Sequence, residues 1–154
     1  MKVFLGSDHA GFKLKGVIKD YLRELKYEPV DEGAFKLKPD DDYPDFVEIV
    51  AQMVAANPES RGIVFGGSGQ GEAMCANRFK HIRAVVYYGS SDEIIRLSRA
   101  HNNANVLSIG ARFVDEDTAK RVVKAWLEEP FSGDDRHIRR LAKLDYNLKD
   151  ELTF

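Results

Sequence analysis

The segment Gly66-Gly67-Ser68-Gly69-Gln70-Gly71-Glu72 packs four glycines, a hydroxyl and a carboxylate into one short stretch between an apolar run and a helical pattern. Glycines let the backbone turn tightly and aim several N–H groups at one point, and the helix N-terminus that follows adds partial positive charge. Such a segment suits an anion, and Glu72 beside it is a candidate general base for an acidic C–H. A competing reading makes the glycines a tight strand-to-helix turn and Glu72 a dipole-compensating residue in the first helical turn. The helix dipole lowers the pKa of a carboxyl placed there and burial raises it, a balance the sequence leaves open. No Lys-Ser or Lys-Thr pair follows the last glycine, so the segment is not a nucleoside-triphosphate loop.

Three other groups carry candidate chemistry. Asp8-His9 directly follows the first apolar run, and Ala10-Gly11 lets a helix start there. His101-Asn102 closes a helical pattern before the last apolar run, as residues that either act on a ligand or cap the helix. Arg112 follows that last run, and Arg136 and Arg140 stand one helical turn apart. Guanidinium pairs at that spacing can grip a phosphate, although a solvated basic helix face is the commoner explanation for such a run, and Arg112 could equally be a surface salt-bridge partner. Cys75, His81 and Trp126 read as structural or solvated. No His, Cys, Asp and Glu set has metal-ligand spacing, and Asp40-Asp41-Asp42 lacks the remainder of a calcium loop, so neither a metal nor another cofactor is expected.

Five short apolar runs must position these groups: residues 3–5, 28–30, 63–65, 84–87 and 106–109. They lack period-two polarity and alternate with helical patterns, which predicts a parallel sheet covered on both faces. Leu14, Val17, Ile18, Tyr21, Leu22 and Leu25 mark one amphipathic helix, and Phe46, Ile49, Val50, Met53 and Val54 a second. Shorter patterns cover 73–79, 92–101 with Ile94 and Leu97 inward, and 116–127. The expected fold is α/β: a three-layer, doubly wound, Rossmann-like five-stranded parallel sheet with an added C-terminal helix. Ligands of such folds collect beyond the carboxyl ends of the strands, where Asp8-His9, the glycine segment and Arg112 belong. His101 belongs at the amino edge, so a site using both ends must be shared between subunits. The spacing of Ile138, Leu141, Leu144 and Leu148 gives the C-terminal segment an apolar stripe, suited to a partner subunit or to its own domain.

At 154 residues, 44% hydrophobic and 31% charged, one domain over 1–154 is expected, with 131–154 as a C-terminal arm. A net charge of -2 provides no global basic field for nucleic acid or an anionic membrane. One cysteine excludes an intrachain disulfide, and no apolar run suits a signal peptide or a bilayer span; a cytoplasmic protein is expected.

Gly6-Ser7-Asp8-His9-Ala10-Gly11, Asp42-Tyr43-Pro44, the glycine segment, Ala76-Asn77-Arg78, His101-Asn102-Asn103-Ala104-Asn105, Gly110-Ala111-Arg112 and Arg136-His137 together resemble the B-type ribose-5-phosphate isomerases. That family includes the galactose-6-phosphate isomerase subunits, and the resemblance runs in order from about residue 2 to 140. It implies a metal-free aldose–ketose isomerase working through a cis-enediolate on a phosphorylated sugar, as a homodimer with shared active sites. Ribose 5-phosphate is the expected substrate, with a hexose or tetrose phosphate as the alternative; a non-catalytic phosphate- or nucleotide-binding module is the reading from another class. By resemblance, Ser68 with Gly67, Gly69, Gln70 and Gly71 would stabilise the enediolate, and Asp8 would move protons between the sugar oxygens. His101 would open the furanose ring beside Asn102. His9, Arg112, Arg136 and Arg140 would hold the phosphate, and Tyr43 would line the pocket. Part of the family has a cysteine base where this chain has Gly66; the other part has Glu at the position of Glu72, and this sequence matches the latter.

Overall fold

The computed structural model describes residues 1–89 and 91–146. Five strands, β1 (Lys2–Ser7), β2 (Glu28–Asp31), β3 (Arg61–Gly66), β4 (Ala84–Tyr87) and β5 (Val106–Gly110), form one sheet in the order β2-β1-β3-β5-β4. Every pairing is parallel. Six helices accompany them: α1 (Phe12–Glu24), α2 (Pro44–Ala56), α3 (Gln70–Ala76), α4 (Asp92–Ala100), α5 (Glu116–Glu128) and α6 (Asp135–Tyr146). This is the expected doubly wound α/β fold, and strand order reverses between β1 and β3.

The continuous apolar runs are explained by two cores, because side chains alternate between faces along each strand. Val3 and Leu5 of β1, Ile63 and Phe65 of β3, and Leu107 and Ile109 of β5 pack on Leu14, Ile18, Ile95, Val122, Val123 and Trp126. The intervening Phe4, Val64 and Val106 pack on the opposite face against Val47, Val50, Ala51 and Val54 of α2. Helix α1 also buries a cation: Lys15, 2% exposed, donates to Asp31 Oδ1 and to the Ala34 carbonyl, each at 2.7 Å. That bridge fixes the start of the connection carrying Asp41 and Tyr43 to the sheet edge.

Two helix faces differ from the sequence reading. Ile94 and Leu97 of α4 are 56% and 37% exposed, and Ile95, Ser98 and Arg99 turn inward instead. The inward row contains an arginine and a serine, so hydrophobicity alone selects the wrong face. Ile49 of α2 is also exposed, because Val47 and Ala51 take the core positions. Helix α3 runs three residues earlier than its pattern suggested, which leaves Glu72 in the first turn as expected.

Helix α6 keeps Ile138 and Leu144 exposed, and Leu141 is half-buried. Its ties to the rest of the chain include His137, buried at 3%, and a weak Arg83–Asp145 ion pair at 3.5 Å. Leu148 lies outside the described residues. Among the described residues, no helix is long and apolar enough to cross a membrane.

Candidate active site

At the carboxyl end of β1 the chain turns through Asp8, whose Oδ1 accepts the N–H groups of Ala10 at 2.9 Å and Gly11 at 3.1 Å. This turn starts α1 and holds the carboxylate at 7% exposure. His9 is fixed from the loop before α2: Asp41 Oδ1 accepts the His9 backbone N–H at 2.9 Å and lies 2.7 Å from His9 Nδ1. Tyr43, with Pro44 behind it at the first helical position, begins α2 and brings its ring against Gly71. A Cβ at Gly71 would lie 2.7 Å from the Tyr43 hydroxyl oxygen.

The glycine segment is clamped to the end of β5. Gly66 and Gly67 carbonyls accept from the N–H groups of Ala111 at 2.8 Å and Arg112 at 3.1 Å, and Ser108 Oγ donates to the Gly69 carbonyl at 2.6 Å. Gly69 caps α3 with φ of +78°, a conformation costly for any residue with a Cβ. The clamp leaves Gly67, Ser68 and Gly71 along an open cavity of about 430 Å³, together with Asp8, His9 and Tyr43. Glu72 and Arg112 complete its polar wall, and Phe113 adds an aromatic edge. Gly69 and Gln70 do not line it: Gly69 packs on β5, and Gln70 is exposed with its N–H on Ser68 Oγ at 3.3 Å.

Glu72 is 4% exposed, and its carboxylate lies directly against Gly66. A Cβ built at residue 66 would overlap the Glu72 carboxyl carbon and Oε1. Residue 66 must therefore be glycine for this carboxylate to sit there. Burial pushes the Glu72 carboxyl above the usual carboxylate range, nearby Asp8 adds to the rise, and a backbone N–H offsets part of it. We expect Gly66→Ala to displace the carboxylate and lower kcat by about a hundredfold, the scale of an ångström-sized misplacement. A Gly66→Ala enzyme with native kcat would show that the seat of Glu72 is immaterial.

The remaining predicted residues lie at the other end of the sheet. His101 caps the C-terminus of α4, and its ring meets the buried His137 ring at 4.3 Å between centroids. Ser132 Oγ lies 2.8 Å from His137 Nδ1, and burial, His101 and Arg136 hold the His137 imidazole below its usual range. Asn102 is exposed beside Leu144 at a second cavity of about 390 Å³, and Arg136 and Arg140 are exposed on α6. Six residues of β3 separate the two edges, about 17 Å of extended chain. One chain therefore holds two separate half-constellations.

Asp41, His137 and Phe113 were not singled out as site residues by sequence. Asp8, His9 and Asp41 place ligand-type atoms within 4.8 Å of one another, an arrangement that the His9–Asp41 contact and the Asp8 turn already explain. The Asp40-Asp41-Asp42 run lacks the remainder of a calcium loop, and its middle residue reaches across to His9 instead.

Comparison with known proteins is concordant. The ribose/galactose isomerase family model matches residues 3–144. Ribose-5-phosphate isomerase B of Mycolicibacterium paratuberculosis is 43% identical over 141 residues, covering 92% of this chain and 87% of the relative. Among solved structures, ribose-5-phosphate isomerase B of Clostridium thermocellum superposes with a TM-score of 0.90 at 40% identity, over 96% of this chain and 97% of that one. The Mycoplasma genitalium enzyme, solved with bound ribulose-5-phosphate, gives a TM-score of 0.92 at 36% identity and covers 97% of both chains. With this fold, this glycine segment and these relatives along nearly its whole length, the chain belongs to the ribose/galactose isomerase family.

Proposed function

We propose that the chain interconverts ribose 5-phosphate and ribulose 5-phosphate, with Glu72 as the base that carries a proton between C2 and C1. The supporting observation is the buried Glu72 carboxylate seated on Gly66 at the wall of a cavity rimmed by Gly67, Ser68 and Gly71. Glu72 takes the C2 proton of the open-chain aldose, and the electron pair moves to make the cis-enediolate. Returning the proton to C1 gives the ketose, with no net oxidation of the molecule. Loop N–H groups and Ser68 face the oxygen that becomes negative, where fixed donors act most strongly. Asp8, held by two amides on the same wall, moves protons between the sugar oxygens. A relative with ribulose-5-phosphate bound supports a phosphosugar substrate.

His9 and Arg112 hold the phosphate from this chain. A second copy supplies His101 for ring opening, with Asn102, Arg136 and Arg140, because those residues lie at the far edge of their own sheet. The exposed Ile94, Leu97, Ile138 and Leu144 offer apolar surface for that dimer, with 131–154 as the arm reaching the other subunit. Solvent deuterium appearing at C2 of ribose 5-phosphate tests the reaction. Negligible kcat/KM on ribose 5-phosphate beside high activity on a hexose or tetrose phosphate would move the assignment to that sugar, and bound sugar phosphate without exchange would make the chain a binding module.

Asp41 enters this reading as the residue that positions His9. Its side chain is 7% exposed, and it fixes both the backbone and Nδ1 of His9, leaving Nε2 for the ligand. Asp41→Ala is expected to raise KM for ribose 5-phosphate about tenfold while kcat changes little, as loss of one charge-assisted hydrogen bond would predict. Equal losses in kcat and kcat/KM, with KM unchanged, would place Asp41 in the chemical step instead.

A further inference from the structure

Three arginines meet at the amino edge of the sheet, away from the glycine segment. Arg61 opens β3, Arg83 immediately precedes β4, and Arg99 lies in the last turn of α4. Arg61 and Arg83 wall a cavity of about 610 Å³, with His81, Asn103 and Asn105 between them. Arg99 stands behind this wall at 4% exposure, one Nη donating to Asn103 Oδ1 at 2.8 Å and to the Ala104 carbonyl at 2.6 Å. Its buried Nε has no hydrogen-bond partner among the described residues.

A guanidinium carries five N–H donors, and these three leave many without an acceptor among the described residues. Arg61 donates to the Ser60 carbonyl at 2.7 Å, and Arg83 to the Asn103 carbonyl at 3.1 Å and weakly to the Asp145 carboxylate at 3.5 Å. Carboxylates nearby offset part of the charge. Asp145 stands 3.5 Å from Arg83, and Glu129 is engaged by Arg96 at 3.1 Å. Glu59 lies on the cavity wall near Arg61. Burial, then Arg61 and Arg83, holds the Arg99 guanidinium at about 10, so the three cations repel one another in a poorly hydrated place. The carbonyl ends of α2 and α4 reach this edge and favour arginine there, yet they do not account for two guanidiniums walling an open cavity.

We propose that this cavity is a second anion site, selective for a phosphate or phosphomonoester group and separate from the catalytic cavity. Planar guanidiniums match the oxygens of a phosphate, and a dianion would relieve the repulsion among the three. Asn103 and Asn105 add amide donors at the rim, and the volume admits a small phosphorylated metabolite. The site lies about 17 Å of strand from the Glu72 of its own chain, and Arg61, Arg83 and Arg99 are none of the residues assigned to the reaction.

The test follows the arginine Nε–H resonances of the intact protein by NMR during titration with inorganic phosphate, the Arg99 signal being identified by its absence in Arg99→Lys. The expected result is a saturable shift of the Arg99 signal, weakened about ten- to hundredfold in Arg61→Gln, as loss of one charged hydrogen-bonding partner predicts. Activity of Arg61→Gln on ribose 5-phosphate should stay within about twofold, Arg61 being none of the residues placed at the catalytic cavity or supplied to it by a second copy. A parallel titration with ribose 5-phosphate against ribose tells a phosphomonoester site from one for free phosphate alone. A shift that never saturates, equal affinity in Arg61→Gln, or the same response to chloride at matched ionic strength would each overturn the proposal.

Discussion

Glu72→Gln is expected to lower kcat on ribose 5-phosphate by about 10²–10⁴-fold, the usual contribution of a positioned general base, with KM little changed. Glutamine keeps the shape that fills the seat against Gly66 and removes the ability to accept a carbon-bound proton. Solvent deuterium exchange at C2 should fall in parallel, because the same transfer produces it. Turnover near the native value would remove Glu72 as the base, whatever the fate of the rest of the site.

The same substitution should stabilise the protein near neutral pH, and the sign follows from the raised pKa. Glu72 titrates higher in the folded chain than in the unfolded one, so the folded state binds the extra proton more readily. Its neutral form therefore favours folding below the unfolded pKa, and that contribution disappears as pH rises through the folded value. Above the unfolded pKa the folded state must either keep a buried charge or hold a proton on Glu72, each at a cost in free energy that glutamine does not incur, so Glu72→Gln should melt higher. The pH–rate profile carries the complementary sign: activity needs the ionised form, so its acid limb should sit above the ordinary carboxylate range. An acid limb in the ordinary range would mean that burial does not set the pKa of the working base.

How much of this was legible in the sequence depends on whether a signal was local. The strands were readable because β1, β3 and β5 are apolar on both faces, and the glycine segment because its glycines and Glu72 are contiguous. Placing Asp8, Glu72 and Arg112 on one edge required only the β-α alternation. Asp41 was out of reach because its contact with His9 spans 32 residues and belongs to an irregular loop. The seat of Glu72 on Gly66 likewise depends on how the first turn of α3 folds back on the end of β3, which no spacing announces. The face of α4 was misread because Arg99 and Ser98 point inward, where buried hydrogen bonds to carbonyls replace apolar packing.

Mixing Glu72→Gln chains with His101→Ala chains should restore activity that neither variant shows alone. Each homodimer would lack the same group in both of its sites. In a twofold-symmetric heterodimer, one site joins the intact Glu72 of the His101→Ala chain to the intact His101 of the Glu72→Gln chain, and the other site has lost both. Random pairing at equal concentrations makes about half the dimers mixed, so recovery should approach about a quarter of native activity. The geometry behind this is the separation of the two half-constellations by the length of β3, which a single chain cannot close without unravelling its sheet. The exposed apolar rows of α4 and α6 flank the His101 end, where a second copy would have to dock. Verified heterodimers with no more activity than the two parents together would show that the far-edge residues do not complete the site. His101, Arg136 and Arg140 would then return to their alternative reading, a helix cap and a solvated basic face.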